Sequence, residues 1–322
     1  MDASHWKGRS VLVTGADGFM GSHLTERLVA AGAKVSVLVR PRSVTGTAAT
    51  RFRNLGAVAG RLEQVLATDV AGPDALEGIV HLAPQCVLHL AADAYVERSF
   101  THPREVSRTN VDGTLTVLEA ARRCAAIERV VVTSSSEVYG PAQSERMTEA
   151  HPLEPTSPYA ASKVAADRMA VAYHRTYGTP VAVIRPFNTY GPRHVYDVIP
   201  KFIDRALAGD ALTVFGDGSQ SRDFTFVDDM VRAFVVMAEH PAAAGEVVHF
   251  GTGIATSVAG LAEDVVRLSG SRSRIERAAG RAAEVARLCC DASRAEALLG
   301  WTPRVGLQEG LARNIAWARA QH

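Results

Sequence analysis

The sequence predicts an α/β fold, a doubly wound parallel sheet with helices on both faces and a smaller C-terminal α/β subdomain. Three observations carry this expectation. Short runs rich in β-branched residues alternate with longer helical patterns as far as residue 186. A glycine-rich turn, "TGADGFMG", joins the first such run to the first helical pattern. After "PVAVIRP" (180–186) the texture changes to short elements rich in Gly and Pro, such as "LTVFGDGSQSRDFTFVDD" (212–229). The expected division is residues 1–186 for the sheet domain and 187–322 for the subdomain, with "VDDMVRAFVVMAEH" (227–240) able to return to the sheet.

In order, "SVLVTG" (10–15) reads as a buried strand and "GSHLTERLVAAG" (21–32) as a helix closed by Gly32. "KVSVLV" (34–39) is the second strand, and residues 41–62 read as a loop with one helical turn. "EQVLATD" (63–69), "QCVLHLAA" (85–92) and "RVVVTSS" (129–135) are further strands. "PREVSRTNVDGTLTVLEAARRC" (103–124) and "SPYAASKVAADRMAVAYHRTYG" (157–178) are helices, and "PVAVIRP" closes the series as a strand. The sequence shows no internal repeat.

A chain of 322 residues is long enough to bury a large core. Thirty-five Lys and Arg against 34 Asp and Glu give a net charge of +1 and no electrostatic reason to expect a nucleic-acid or membrane partner. The apolar runs are strand-sized, far short of the roughly 20 residues needed to span a bilayer. The N-terminus enters a strand with no signal-peptide pattern, so a cytoplasmic protein is expected. Cys86, Cys124, Cys289 and Cys290 show no metal-binding spacing and read as reduced core residues.

Gly15, Gly18 and Gly21 follow a strand and open a helix, with Phe19 and Met20 among them. Glycines there permit a tight turn and close approach to a pyrophosphate resting on the helix N-terminus, the Rossmann arrangement for a dinucleotide. The second strand ends "LVRPRS", with Arg40 and Arg42 and no carboxylate, which favours NADP, with NAD as the alternative. Asp69 is placed either to accept from the adenine amino group or to cap the helix that follows.

Tyr159 and Lys163 in "SPYAASK" share one helix face. A nearby ammonium would lower the tyrosine's pKa and make it a base near neutrality. Ser135, at the end of the fifth strand, would bond the same substrate hydroxyl.

With these pieces in order, the chain resembles over nearly its whole length the extended short-chain dehydrogenase/reductases that act on nucleotide sugars. The matching stretches are "TGADGFMGSHL", "HLAADAYVERSF", "NVDGTLTVLEAAR", "SSSEVYG", "SPYAASK", "RPFNTYGPR" and "GDGSQSRDFTFVDD". The resemblance implies that Val70, Leu90, Ala91 and Ala92 join the cofactor contacts. It also implies that Asn188, Arg222 and Arg287 hold the nucleotide diphosphate or sugar, a role suited to the planar guanidinium. Salt bridges from Arg222 to Asp223 or Asp228, and a plain surface position for Arg287, are the bland alternatives. The paired helices at 103–124 and 157–178 imply a homodimer.

Glu137 decides between activities within this family. A 4-epimerase needs no carboxylate beside Tyr159, whereas a 4,6-dehydratase needs a base for the C5 proton. "SSSEVYG" is similar to the dehydratases, and "RLCCDASRA" resembles their C-terminal signature. One departure is Ser136, where the thymidine-diphosphate glucose type carries Asp. Glu137, once protonated, or Ser136 through water would then protonate the leaving 6-OH. Uridine-diphosphate glucuronate decarboxylases share the Ser-Glu pair, so decarboxylation and 4-epimerisation are the alternatives to dehydration. A non-enzymatic cofactor-binding protein would have no need of Ser135, Tyr159 and Lys163 together.

Overall fold

The computed structural model describes residues 3–41, 52–280 and 285–321. The chain begins α1 (Ala3–Trp6), β1 (Ser10–Thr14), α2 (Phe19–Ala30), β2 (Lys34–Val39), β3 (Val65–Ala67), α3 (Pro73–Leu82) and β4 (Cys86–His89). It continues α4 (Val96–Thr101), α5 (Pro103–Ser107), α6 (Gly113–Arg123), β5 (Arg129–Thr133), α7 (Pro158–Tyr177), β6 (Val181–Pro186), β7 (Asn188–Tyr190) and α8 (Val198–Ala208). Then follow β8 (Leu212–Phe215), β9 (Ser221–Phe226), α9 (Val227–Glu239), β10 (Val247–Phe250), β11 (Ala255–Ser257) and α10 (Val258–Ser269). The last elements are β12 (Ile275–Ala278), β13 (Arg287–Leu288), α11 (Ser293–Leu299) and α12 (Leu307–Arg319).

Seven parallel strands form the large sheet in the order β10-β6-β5-β4-β1-β2-β3. Alternate residues of each strand feed opposite faces. Val11, Val13, Val35 and Val37 pack with Leu24, Leu28 and Phe234 on one side. Leu12, Leu38, Val130 and Val132 pack with Val117, Leu118 and Ala170 on the other. Both faces are covered, which is why the strands read as unbroken apolar runs. Chain order reverses between β1 and β4, and ligands of such sheets bind at the carboxyl end of that crevice. Residues 227–250 rejoin this body, since α9 lies against α2, β4, β5 and β6 and β10 pairs with β6. The remaining strands form two small sheets, β11-β9-β13 with β7 also paired to β9, and β12-β8.

The helix expected over 103–124 is interrupted. Between α5 and α6, residues Arg108–Asp112 form a π turn, a widening often found where a helix aims a side chain. The turn points buried Asn110 inward. Its Oδ1 accepts from the Asp93 amide at 2.8 Å and its Nδ2 donates to Ser162 Oγ at 2.9 Å. Gly113 follows because an added Cβ would stand 2.6 Å from Val70 Cγ1.

Candidate active site

Gly15 leaves β1 at φ +69°, and an added Cβ would lie 2.7 Å from the Ala91 nitrogen. The Gly18 amide donates to the Gly15 carbonyl at 3.0 Å, and a Cβ on Gly21 would come within 2.3 Å of that oxygen. The turn therefore closes so tightly that α2 starts with Gly18 as its cap and no side chain over its first amides. Those bare amides and the helix dipole suit an anion, and the space that a Cβ would fill suits a pyrophosphate. The cleft above them has a volume of about 580 Å³. Gly15, Gly18, Phe19, Met20, Gly21, Arg40, Asp69, Val70, Leu90, Ala91 and Ala92 all line it. The predicted reacting groups Ser135, Glu137, Tyr159 and Lys163 line neither this cleft nor a groove of about 590 Å³ between α2, α9 and Leu299–Arg304, and that groove contains none of these glycines.

Arg42 lies outside the described residues. Asp69 does not cap the next helix, whose N-cap is Gly72. Its Oδ1 instead accepts from the Ala71 amide at 3.0 Å, and its carboxylate pairs with Arg108. Partial burial would raise its pKa, but Arg108, that amide and the field of Arg40 hold it below the usual carboxylate range. Arg53 and Asn54 also line the cleft, and both donate backbone amides to the Asp17 carboxylate, at 3.1 and 2.8 Å. The unpatterned stretch around them gave no sign of this in the sequence.

The reacting groups come from the end of β5 and the first turns of α7. Ser157 Oγ caps α7 by accepting from the Ala160 amide at 3.1 Å, Pro158 takes the first helical position, and Gly178 ends the helix in the left-handed region. Tyr159 and Lys163 are thus fixed on one buried face, 7% and 4% exposed. Ser135 Oγ accepts from the Glu137 amide at 3.2 Å and shares a hydrogen bond with the Tyr159 hydroxyl. The expected lowering of the Tyr159 pKa is not found. Burial pushes it up and outweighs the bond to Ser135. Lys163 Nζ donates to the Thr133 carbonyl at 2.9 Å, and burial brings its own pKa down to about 8, against the opposing pull of Asp167. The i, i+4 spacing put both groups on one face without fixing which acceptor the ammonium takes.

Glu137 is partly buried in the turn Ser136–Tyr139, directly after Ser135. Burial raises its pKa, Arg222 opposes the rise and Asp197 adds to it. Ser136 is 3% exposed.

A buried polar chain supports this centre from below. Thr14 Oγ1 lies 2.8 Å from His89 Nδ1 across the β1–β4 switch, and His89 Nε2 lies 3.1 Å from Thr114 Oγ1. Burial, reinforced by Lys163, brings the His89 pKa down to about 3, so this histidine is neutral. Thr114 donates to the Asn110 carbonyl at 2.7 Å, and Ser162, which bonds Asn110, donates to the Tyr159 carbonyl at 2.6 Å. Sequence reading missed His89, Asn110 and Thr114, although polar residues inside "VLHL" and "NVDGT" were a signal.

β7 and β9 carry the residues expected to contact substrate. Asn188 pairs with Phe224 in register, and its Oδ1 is buried with no protein partner. The charge of Arg222, on β9, opposes the burial-driven rise of the Glu137 pKa. Asp223 is already taken by the Thr252 amide and hydroxyl and the Gly253 and Cys290 amides, at 2.6–3.1 Å. Asp228 stands 3.4 Å from Arg313. On β13, Arg287 pairs with Ser221, one residue from Arg222, and its Nε is buried with no protein partner. All four cysteines are buried and unbridged. Among the described residues, no cluster of His, Cys, Asp and Glu could hold a metal, and no helix is long and apolar enough to cross a membrane.

Comparison with known proteins agrees with this geometry. The GDP-mannose 4,6-dehydratase family model matches residues 12–314. A UDP-glucose 4-epimerase of Mycolicibacterium smegmatis is 37% identical over 315 residues, covering 96% of this chain and 98% of that protein. A dTDP-glucose 4,6-dehydratase of Actinoplanes is 35% identical over 320 residues, covering 96% and 98%. The dTDP-glucose 4,6-dehydratase of Streptomyces venezuelae, solved with NAD bound, superposes with a TM-score of 0.86 at 35% identity and covers 96% of each chain.

Proposed function

Since the chain belongs to the GDP-mannose 4,6-dehydratase family of nucleotide-sugar dehydratases and epimerases, we propose that it is a nucleotide-sugar 4,6-dehydratase using NADP in preference to NAD. The observation that carries the reading is Glu137, a carboxylate whose pKa burial raises, two residues beyond Ser135 of the Ser135–Tyr159 pair. A raised pKa makes a better base for carbon acids and lets the group hold the proton it removes. A 4-epimerase has no use for such a base.

When bound, a nicotinamide would supply hydride-acceptor chemistry at C4 and donor chemistry at C6, with Gly15, Gly18, Gly21 and Arg40 among the residues that would hold the dinucleotide. Tyr159 takes the proton of the 4-OH, with Ser135 aligning that hydroxyl. Lys163 supplies the positive charge that offsets the buried phenolate, which in this state is too costly to form alone. Glu137 removes the C5 proton, which the adjacent ketone acidifies, and delivers it to the departing 6-OH, so that C6–O breaks and water leaves. Burial of Ser136 favours Glu137 itself as the donor over a water relay. A proton from solvent at C5, balanced by release of the 4-OH proton from Tyr159 to solvent, and hydride return to C6 leave a 4-keto-6-deoxy sugar one water lighter. Asn188, Arg222 and Arg287 supply the polar contacts for the diphosphate end.

The ground for NADP is Arg40 at the end of β2, joined in the cleft by Arg53. Several solved relatives carry NAD. A homodimer through the α5–α6 and α7 region belongs to the same proposal. The 37% identity to a 4-epimerase is the observation behind the second reading, 4-epimerisation. Incubation with a panel of nucleotide hexoses separates them. Loss of one water supports dehydration, unchanged mass with a new stereoisomer supports epimerisation, and loss of carbon dioxide from a uronate supports decarboxylation.

A further inference from the structure

The Glu137 carboxylate accepts no hydrogen bond among the described residues, so its aim is set by the backbone of the turn that carries it. That turn is held at three points. At its start, Ser135 Oγ accepts from the Glu137 amide at 3.2 Å. At its end, Gly140 has φ +66° and abuts the Glu154 carbonyl so closely that a Cβ would collide with it. The third point is the Tyr139 side chain, two residues after Glu137 and fully buried.

Tyr139 ends in a buried polar junction. Arg185 Nη1 and His249 Nδ1 each stand 3.0 Å from its hydroxyl oxygen. A guanidinium only donates, so the tyrosine oxygen accepts from Arg185 and its own proton points to His249 Nδ1. His249 then carries its proton on Nε2 and donates it to the Asp291 carbonyl at 2.7 Å. Burial sustains this arrangement. It lowers the His249 pKa against the field of Glu149, which keeps the imidazole neutral, and raises the Tyr139 pKa against Arg185, which keeps the phenol protonated. Arg185 is in turn paired with Asp167, one turn beyond Lys163 on α7. The bonds therefore run from α7 through β6 to the Glu137 turn, and on through β10 to the segment after β13.

We propose that Tyr139 is a positioning residue: its hydroxyl, held by Arg185 and His249, anchors the turn that aims Glu137 and so governs the chemistry at C5 without governing hydride transfer at C4. The inference rests on the reading of Glu137 as the C5 base. Tyr139 acts through the backbone and not on the sugar, since it is fully buried and lines neither the cofactor cleft nor the groove beside α9. A general base must lie within reach of its proton, and a carboxylate with no hydrogen bond of its own has only its turn to place it there. The C4 step does not share this anchor. Tyr159 is fixed by the cap of α7, and Lys163 takes the Thr133 carbonyl as its acceptor.

The test compares wild type with Tyr139→Phe, each saturated with nicotinamide dinucleotide in deuterated water, on UDP-glucose, dTDP-glucose and GDP-mannose. The change keeps the ring, and Arg185 keeps its two bonds to Asp167. Near-ultraviolet absorbance of reduced nicotinamide reads hydride leaving C4, and the mass of the sugar reads deuterium at C5 and loss of water. In the variant, reduction should stay within a few-fold of wild type, while C5 exchange and water loss fall together by about 10²-fold, the cost of a misplacement of about 1 Å. Losing the hydroxyl also leaves His249 Nδ1 without its donor, which lowers the thermal midpoint. Tyr139→Phe/His249→Leu removes that orphaned acceptor, should recover part of the midpoint and should leave C5 exchange slow. The double variant carries the comparison if the single one does not fold. Equal slowing of the two steps, or C5 exchange at the wild-type rate in either variant, would overturn the assignment and leave Glu137 as the base. A wild type that exchanges no C5 hydrogen on any of the three sugars would overturn the C5-base reading and the proposal with it.

Discussion

Asp167→Asn tests how the fold supports the reacting lysine. Asp167 lies one turn beyond Lys163 on α7 and is fully buried, with its Oδ2 2.8 Å and its Oδ1 3.2 Å from the Arg185 guanidinium. Arg185, 2% exposed, also donates to the Tyr139 hydroxyl at 3.0 Å, which lies 3.0 Å from His249 Nδ1. Neutralising one partner of such a buried pair leaves the other charge uncompensated and costs about 3–5 kcal/mol. For a chain of 322 residues this lowers the thermal midpoint by about 4–8 °C, taking the usual unfolding entropy per residue. The same change acts on function. Burial already brings the Lys163 pKa down to about 8, and the Asp167 charge is what opposes it. Without that charge the pKa falls further, the ammonium is lost at lower pH, and the alkaline limb of the rate profile moves towards neutrality. Scanning calorimetry and a pH–rate profile read the two effects, and the double variant Asp167→Leu/Arg185→Met should recover stability while the alkaline limb stays displaced. A midpoint within about 1 °C of wild type together with an unmoved limb would refute the reasoning.

Arg40→Asp should shift cofactor preference from NADP towards NAD, because it removes a 2′-phosphate partner and adds repulsion; tighter NAD than NADP binding by the wild type would contradict this. Gly21→Ala sets a Cβ 2.3 Å from the Gly15 carbonyl, which cannot retreat because Gly15 itself abuts Ala91, so dinucleotide affinity should fall at least tenfold by titration. Light scattering at micromolar concentration should give the mass of a dimer.

How much was legible follows from how local each feature is. The strands at 10–14, 34–39, 129–133 and 181–186 and the glycine turn are written in short-range pattern and were read within a residue or two. That Tyr159 and Lys163 share a helix face and that Ser135 stands at a strand end could be read from spacing, since both are local facts. The anchoring of Tyr139 was invisible, because Arg185 and His249 stand 46 and 110 positions away in the chain. The π turn at 108–112 was hidden for the same reason, as it answers to Asp93, Ser162 and Val70. The direction of the Tyr159 pKa shift was misjudged because spacing reports proximity and says nothing about burial.

The central claim is that Glu137 is the C5 base. Glu137→Gln keeps the size of the side chain and leaves Ser135, Tyr159 and Lys163 in place, so removal of the base alone should slow dehydration by about 10²–10⁴-fold. The direct measurement is mass spectrometry of the sugar nucleotide after incubation in deuterated water. The account predicts that the wild type yields product one water lighter with deuterium at C5, and that the variant yields almost none while a 4-keto sugar still bearing its 6-OH remains at the site. Turnover of the variant within a few-fold of wild type, with the sugar's mass unchanged, would return Glu137 to a structural role and contradict the assignment.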